Sequence, residues 1–166
     1  SIFNKYFIIY TAYGVKEFSN ALLWPFFIFL LLNDEVKLGA IVSGVSFVGA
    51  IFSLAVGKMA DAHMKPNVLK RLGSIVDGIS WPIRALFTTF YQLLSVSIVS
   101  YMAFLLVDIP LYKKFYDQIR DHTEYLVVRE MALALGRILV ILVVMLVGFY
   151  AGFWLMGLSN LAYLFF

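Results

Sequence analysis

Cysteine is absent from this chain of 166 residues, so disulfides and thiolate metal sites are excluded, and nothing marks a redox compartment. Charge is scarce as well. Asp, Glu, Lys and Arg make up 14% of the residues, where a soluble domain carries about a quarter. Histidine is nearly missing: His63 and His122 stand alone in polar stretches, without carboxylates spaced for zinc or the serine and acid of a hydrolytic triad. No catalytic set, metal site or cofactor is therefore expected, and the chain does not read as an enzyme. A cleavable signal peptide is not visible, because the first apolar run is too long and no small-residue cleavage site follows a short core.

Apolar residues dominate instead, at 63% of the chain and a mean hydropathy of +0.91. That composition belongs to a membrane protein. Polar breaks divide it into six candidate spans: Tyr6–Leu32, Leu38–Ala60, Val68–Phe87, Tyr91–Tyr112, Tyr125–Val147 and Phe153–Phe166. The last two are separated at Gly148-Phe-Tyr-Ala-Gly152, because one uninterrupted run of more than about forty residues would overshoot a bilayer. The expected fold is all-α, a single polytopic bundle of six transmembrane helices over residues 1–166. Its end at Leu161-Ala-Tyr-Leu-Phe-Phe166, without a polar tail, reads as that of a segment cut from something longer.

The net charge of +3 does not indicate nucleic acid, because most of the basic residues fall in two short loops. Lys58, Lys65, Lys70 and Arg71 flank the second-to-third connection, and Lys113, Lys114 and Arg120 the fourth-to-fifth. The first-to-second loop is Asn33-Asp-Glu-Val-Lys37, the third-to-fourth has only Arg84 near it, and the fifth-to-sixth has no charge. Basic loops remain cytoplasmic, which places both termini inside, in a prokaryotic cytoplasmic membrane. Small residues recur at Ala40 and Gly44, at Gly49, Ser53 and Gly57, at Ala132 and Gly136, and at Gly148 and Gly152. Such faces let helix backbones approach closely. They serve either packing within one bundle or, for the second and fifth spans, contact with another six-helix unit.

The loop after the second span reads Gly57-Lys-Met-Ala-Asp61-Ala-His-Met-Lys65-Pro. Gly57, Asp61 and Lys65 match the loop signature of the major facilitator superfamily, which this sequence resembles; Ala62, Met64 and Pro66 replace its other positions, as is more typical of the C-terminal half. Ser80-Trp-Pro-Ile-Arg84 and the segment from Tyr125 to Arg137 look like stretches of bacterial and archaeal members. The resemblance implies one six-helix half of a twelve-helix secondary transporter, with a central site between two halves that rock to open it to either side in turn. It also implies a cytoplasmic latch at Gly57, Asp61 and Lys65, in which the aspartate meets a cation. Arg129, beside Glu130, is the partner expected at that edge.

Counting about 1.5 Å per residue from the cytoplasmic edge puts Lys16, Glu17, Asp77 and Arg137 near the midplane. Charge at that depth costs several kcal/mol (about 3 or more for each ion) unless it is paired or faces a cavity. Lys16 and Glu17 lie about 100° apart around their helix and so need different partners. Depth assigns Asp77 to Lys16 and Arg137 to Glu17. The resemblance implies a peripheral third helix, which makes Asp77 and Arg84 structural charges. Lys16, Glu17, Arg137 and Asp108, which stands near the inner mouth beside Pro110, are the candidates for substrate or coupling. Glu17 is the better placed for proton exchange. Trp24-Pro25 and Trp81-Pro82 are expected toward the outer interface, where tryptophan is enriched. The function expected is movement of a small solute by alternating access, with a non-transporting membrane scaffold as the alternative. The expected partners are lipid, a second six-helix half from the same longer chain or a second copy, and the solute.

Overall fold

In the computed structural model the backbone is described for residues 2–61, 66–119 and 124–165, and side chains for 6–59, 68–113 and 125–164. Among these residues all regular structure is helical. A first rod comprises α1 (Ile2–Phe18), a π-helical turn (Ser19–Leu23) and α2 (Trp24–Leu32). It is followed by α3 (Glu35–Asp61), α4 (Pro66–Arg84), α5 (Phe90–Ile119), α6 (Glu124–Val147) and α7 (Phe149–Leu161), then a 3-10 turn (Ala162–Phe165). Tyr6–Leu32, Glu35–Met59, Phe90–Lys113 and Tyr125–Val147 are long and apolar enough to cross a membrane. The chain is thus built as an integral membrane protein is. The two remaining helices differ: α4 is rich in polar residues, and α7, with 13 residues, is shorter than the hydrocarbon core.

Local chemistry sets the boundaries. The first rod stops at Asn33, whose left-handed backbone (φ 46°) closes the helix with an amide bond to the Phe29 carbonyl oxygen at 2.7 Å. Asp34 then caps α3, its carboxylate accepting the Lys37 amide at 3.0 Å. That backbone hydrogen bond, aided by the Lys37 side chain, holds the Asp34 carboxyl below the usual carboxylate range. Gln92 caps α5 by reaching back to the Thr88 and Thr89 amides, and α6 ends at Gly148, whose φ of 106° suits glycine alone. The break between the last two helices therefore falls at Gly148, and α7 starts four residues before the expected Phe153. Within the first rod, Pro25 has no amide hydrogen to give. The helix runs through the preceding residues as a π-turn, with the Trp24 amide bonded back to Ser19.

Packing follows a repeating plan. α1 lies along α6 and touches α7; α5 lies along α3 and α4; α4 also packs on α7, and α2 touches α3. Shifting each span by three maps these interfaces on one another: first–fifth onto fourth–second, third–fourth onto sixth–first, first–second onto fourth–fifth, and third–sixth onto itself. The α6–α7 contact has no counterpart of its size between α3 and α4 among the described residues. The result is two interleaved groups of three helices.

α4 is turned inside out relative to a soluble helix. Its Leu72, Ile75, Val76, Ile79 and Ile83 are exposed, whereas Ser74, Asp77, Ser80 and Arg84 are buried. Water would reverse that distribution, because it favours exposing the charges and burying the isoleucines. A lipid surround favours the observed one, with polar groups turned toward the bundle.

The small-residue faces act inside the bundle, which corrects the idea that those of the second and fifth spans form a surface for another unit. Ala132 is fully buried, and Gly136 meets α1 so closely that a Cβ there would overlap the Thr11 carbonyl oxygen. Gly14 does the same against Leu133, so α1 and α6 touch backbone to backbone. Gly49 is filled by the Tyr101 ring of α5, and Gly44 meets Leu94. Gly57 and Gly148 face open space, and Ala40 is exposed. Gly78 and Gly157 bring α4 and α7 together in the same way.

Candidate functional site

Lys16 reaches the interior from α1, and its side chain is wholly buried. Its Nζ lies 3.1 Å from Asp77 Oδ2 on α4, off the axis of a hydrogen bond, and 4.9 Å from the centre of the Phe104 ring. The Tyr163 ring, from the terminal 3-10 turn, stands on another side at 5.3 Å. Aromatic faces supply the cation with part of what lost water no longer gives. The other oxygen of Asp77, Oδ1, accepts the Ser100 hydroxyl at 2.6 Å, and Ser80 Oγ stands 3.0 Å from Ser100 Oγ.

Arg84 extends this cluster. It is 1% exposed, and its Nη2 donates to Ser100, so one hydroxyl links the guanidinium to Asp77. Trp81 lies 3.7 Å and Trp24 4.5 Å from the guanidinium carbon, ring centre to carbon, and the two indoles meet edge to face. Both tryptophans are buried among the helices. Arg84 draws them in: its charge is cheaper to bury between two π faces than bare. Asp77 has no exposed surface and meets two cations, Lys16 directly and Arg84 through the Ser100 hydroxyl.

Glu17 points elsewhere, as its angular offset from Lys16 requires. It accepts Arg137 Nη2 of α6 at 2.7 Å, in a pair with both side chains more than a third exposed. Both pairings assigned from depth, Lys16 with Asp77 and Glu17 with Arg137, are present in the structure. Glu17 also lines an open cleft of about 340 Å³ between the first rod, α3 and α5. Asn20, Trp24, Val42, Tyr101 and Arg84 line it too, so a mostly apolar cleft holds a carboxyl group and a guanidinium.

A third group lies toward the other end of α1. The Tyr13 hydroxyl donates to Asp108, and the Tyr13 ring packs edge-on against Tyr112. Arg129 pairs with Glu130 at 2.5 Å, donates to the Tyr112 hydroxyl at 3.3 Å, and lies over the Tyr10 and Tyr112 rings. Asp108, expected near the inner mouth beside Pro110, therefore meets a phenol. The side chain of Asp61 and all of Lys65 lie outside the described residues, as do His63 and His122, so the expected latch is represented here by Gly57, Arg129 and Glu130.

Ser80, Ser100, Tyr13, Tyr163 and the contact of the two tryptophans with Arg84 escaped sequence reasoning. A signal existed for some of them. Asp77, Ser80 and Arg84 stand at i, i+3 and i+7, one face of one helix, and a polar stripe in an apolar helix marks its buried side. Comparison with protein-family models, curated proteins and solved structures finds no match to this chain.

Proposed function

We propose that the chain is one six-helix half of a secondary active transporter of the major facilitator type, both termini cytoplasmic, moving a small solute by alternating access. The observation that carries this reading is the cleft between the first rod, α3 and α5, where Glu17, at the middle of the first rod, and Arg84, at the end of α4, stand in a mostly apolar wall left open on one side of the bundle. Ionised groups in a membrane interior mark pathways by default. The repeating contact plan supports it, because transporter halves are built from inverted three-helix units with their site at the interface. In this reading a second half closes the cleft. Rocking of the halves changes the Glu17–Arg137 contact and so exchanges a proton, while the enclosed Lys16–Asp77 pair keeps α1 and α4 together as a rigid body.

The test uses single cysteines at Asn20 and Ser46, both in the cleft wall. Sealed vesicles of each orientation are treated with a membrane-impermeant maleimide. Alternating access labels both positions from either face, at rates that a transported solute shifts in opposite directions. Labelling from one face only, unchanged by any solute, would establish a static scaffold instead.

A further inference from the structure

Three of the five N–H bonds of Arg84, those on Nε and Nη1, have no protein acceptor. This is unusual for a side chain that is 1% exposed, because a buried donor without an acceptor is costly. The N–H bonds lie in the plane of the guanidinium, so whatever completes its hydrogen bonding must come edge-on, past Trp81 and Trp24, whose rings stand beside the group at 72° to each other. Arg84 also borders the cleft, and because its Nε and Nη1 have no exposed surface, a ligand entering there reaches them by moving the covering side chains aside.

Charge sharpens the point. Lys16 and Arg84 are both fully buried cations, and Asp77 is the one fully buried carboxylate described. Lys16 is in direct contact with it, while Arg84 reaches it only through the Ser100 hydroxyl. Asp108 acts on Lys16 from further off and already accepts Tyr13, and Glu17 is neutralised by Arg137. The cleft end of the cluster is left one negative charge short.

We propose, building on the transport reading, that Arg84 is the anchor for the anionic group of the ligand: a planar carboxylate on an apolar or aromatic body. The carboxylate meets the guanidinium edge in the geometry that Arg favours over Lys. The apolar body lies along the wall formed by Ile41, Val42, Val45, Tyr101 and Phe104, and a volume of about 340 Å³ sets its size at that of a small organic acid. The acid can come from water as a solute or from the bilayer as a fatty acid.

Calorimetric titration of the purified chain in phosphatidylcholine nanodiscs tests this with 4-phenylbutyrate, its neutral amide 4-phenylbutyramide, and laurate. Saturable binding of an acid at least tenfold tighter than that of the amide is expected; phenylbutyrate binding identifies an aqueous solute, and binding of laurate alone a lipid-derived acid. Arg84→Lys should weaken the acid at least tenfold and leave the amide unchanged. Because that change can disturb the two tryptophans, Val42→Trp gives a second handle: it fills the cleft from an exposed position and should abolish acid binding without lowering Tm. Equal binding of acid and amide, acid binding that survives Val42→Trp, or no binding by any probe overturns the proposal. The transport reading fails separately. Two-sided cysteine labelling without acid binding leaves transport standing and removes the acid, whereas acid binding with one-sided labelling does the reverse.

Discussion

Removing Lys16 and removing Asp77 should not cost the same, although they form one ion pair. Breaking a buried pair by deleting one partner costs about 3–5 kcal/mol, since the other charge stays behind in low dielectric. Lys16→Met leaves Asp77 with the Ser100 hydroxyl and, through it, the Arg84 charge. That places the cost near the lower figure, about 3 kcal/mol. Asp77→Asn strands two cations, Lys16 and Arg84, both without exposed surface to speak of. Its cost should reach the upper figure, about 5 kcal/mol. In the double variant a charge of each sign is gone and only Arg84 is stranded. It should therefore be at least about 2 kcal/mol more stable than the sum of the single changes, roughly a thirtyfold coupling. Equilibrium unfolding by SDS in mixed micelles measures all four proteins, with Trp24 and Trp81 as reporters beside the cluster. Additivity within about 0.5 kcal/mol, the range of independent sites, refutes the shared-carboxylate reading. So does a Lys16→Met protein less stable than Asp77→Asn.

Gly136→Ala should destabilise by about 1–3 kcal/mol in the same assay, because its Cβ would meet the Thr11 carbonyl oxygen, while Gly57→Ala, facing open space, should be neutral or slightly stabilising. Equal effects at the two sites contradict the α1–α6 contact. For orientation, cysteines placed at Glu35 and Lys113, both exposed, should label from opposite sides of intact cells, Glu35 from outside; labelling of both from one side rejects the topology.

The rods were legible because hydrophobic length reports a bilayer directly. Tyr6–Leu32 and Tyr125–Val147 coincide with the apolar runs, and α4 differs from its expected span by two or three residues at each end. The two ion pairs were legible for a related reason: depth is linear in residue number along a spanning helix, so Lys16 and Asp77 can be matched without knowing the packing. Lateral neighbours leave no such trace. Gly49 and Ala132 announce close approach but not to which helix, and both turned out to serve their own bundle. Ser80 and Ser100 were invisible because serine is common in membrane helices, where it bonds its own preceding turn, as Ser97 does with Leu93. The roles of Trp24 and Trp81 depend on Arg84 reaching both rings, which is a property of two helices, α2 and α4, and of no single segment.

The reversed face of α4 has a consequence for how the chain is made. An aspartate, lysine or arginine at mid-helix costs about 2.5–3.5 kcal/mol on insertion through the translocon, so a segment carrying Asp77 at its centre, with Lys70, Arg71 and Arg84 toward its ends, is a poor substrate for entry on its own. Lys16, Ser100 and Trp24, the groups that compensate it, belong to α1, α5 and α2, and one of them is synthesised after it. α4 therefore enters best against α1 and α2, whose Lys16 and Trp24 are already in place, and its polar face is completed only when Ser100 of α5 arrives.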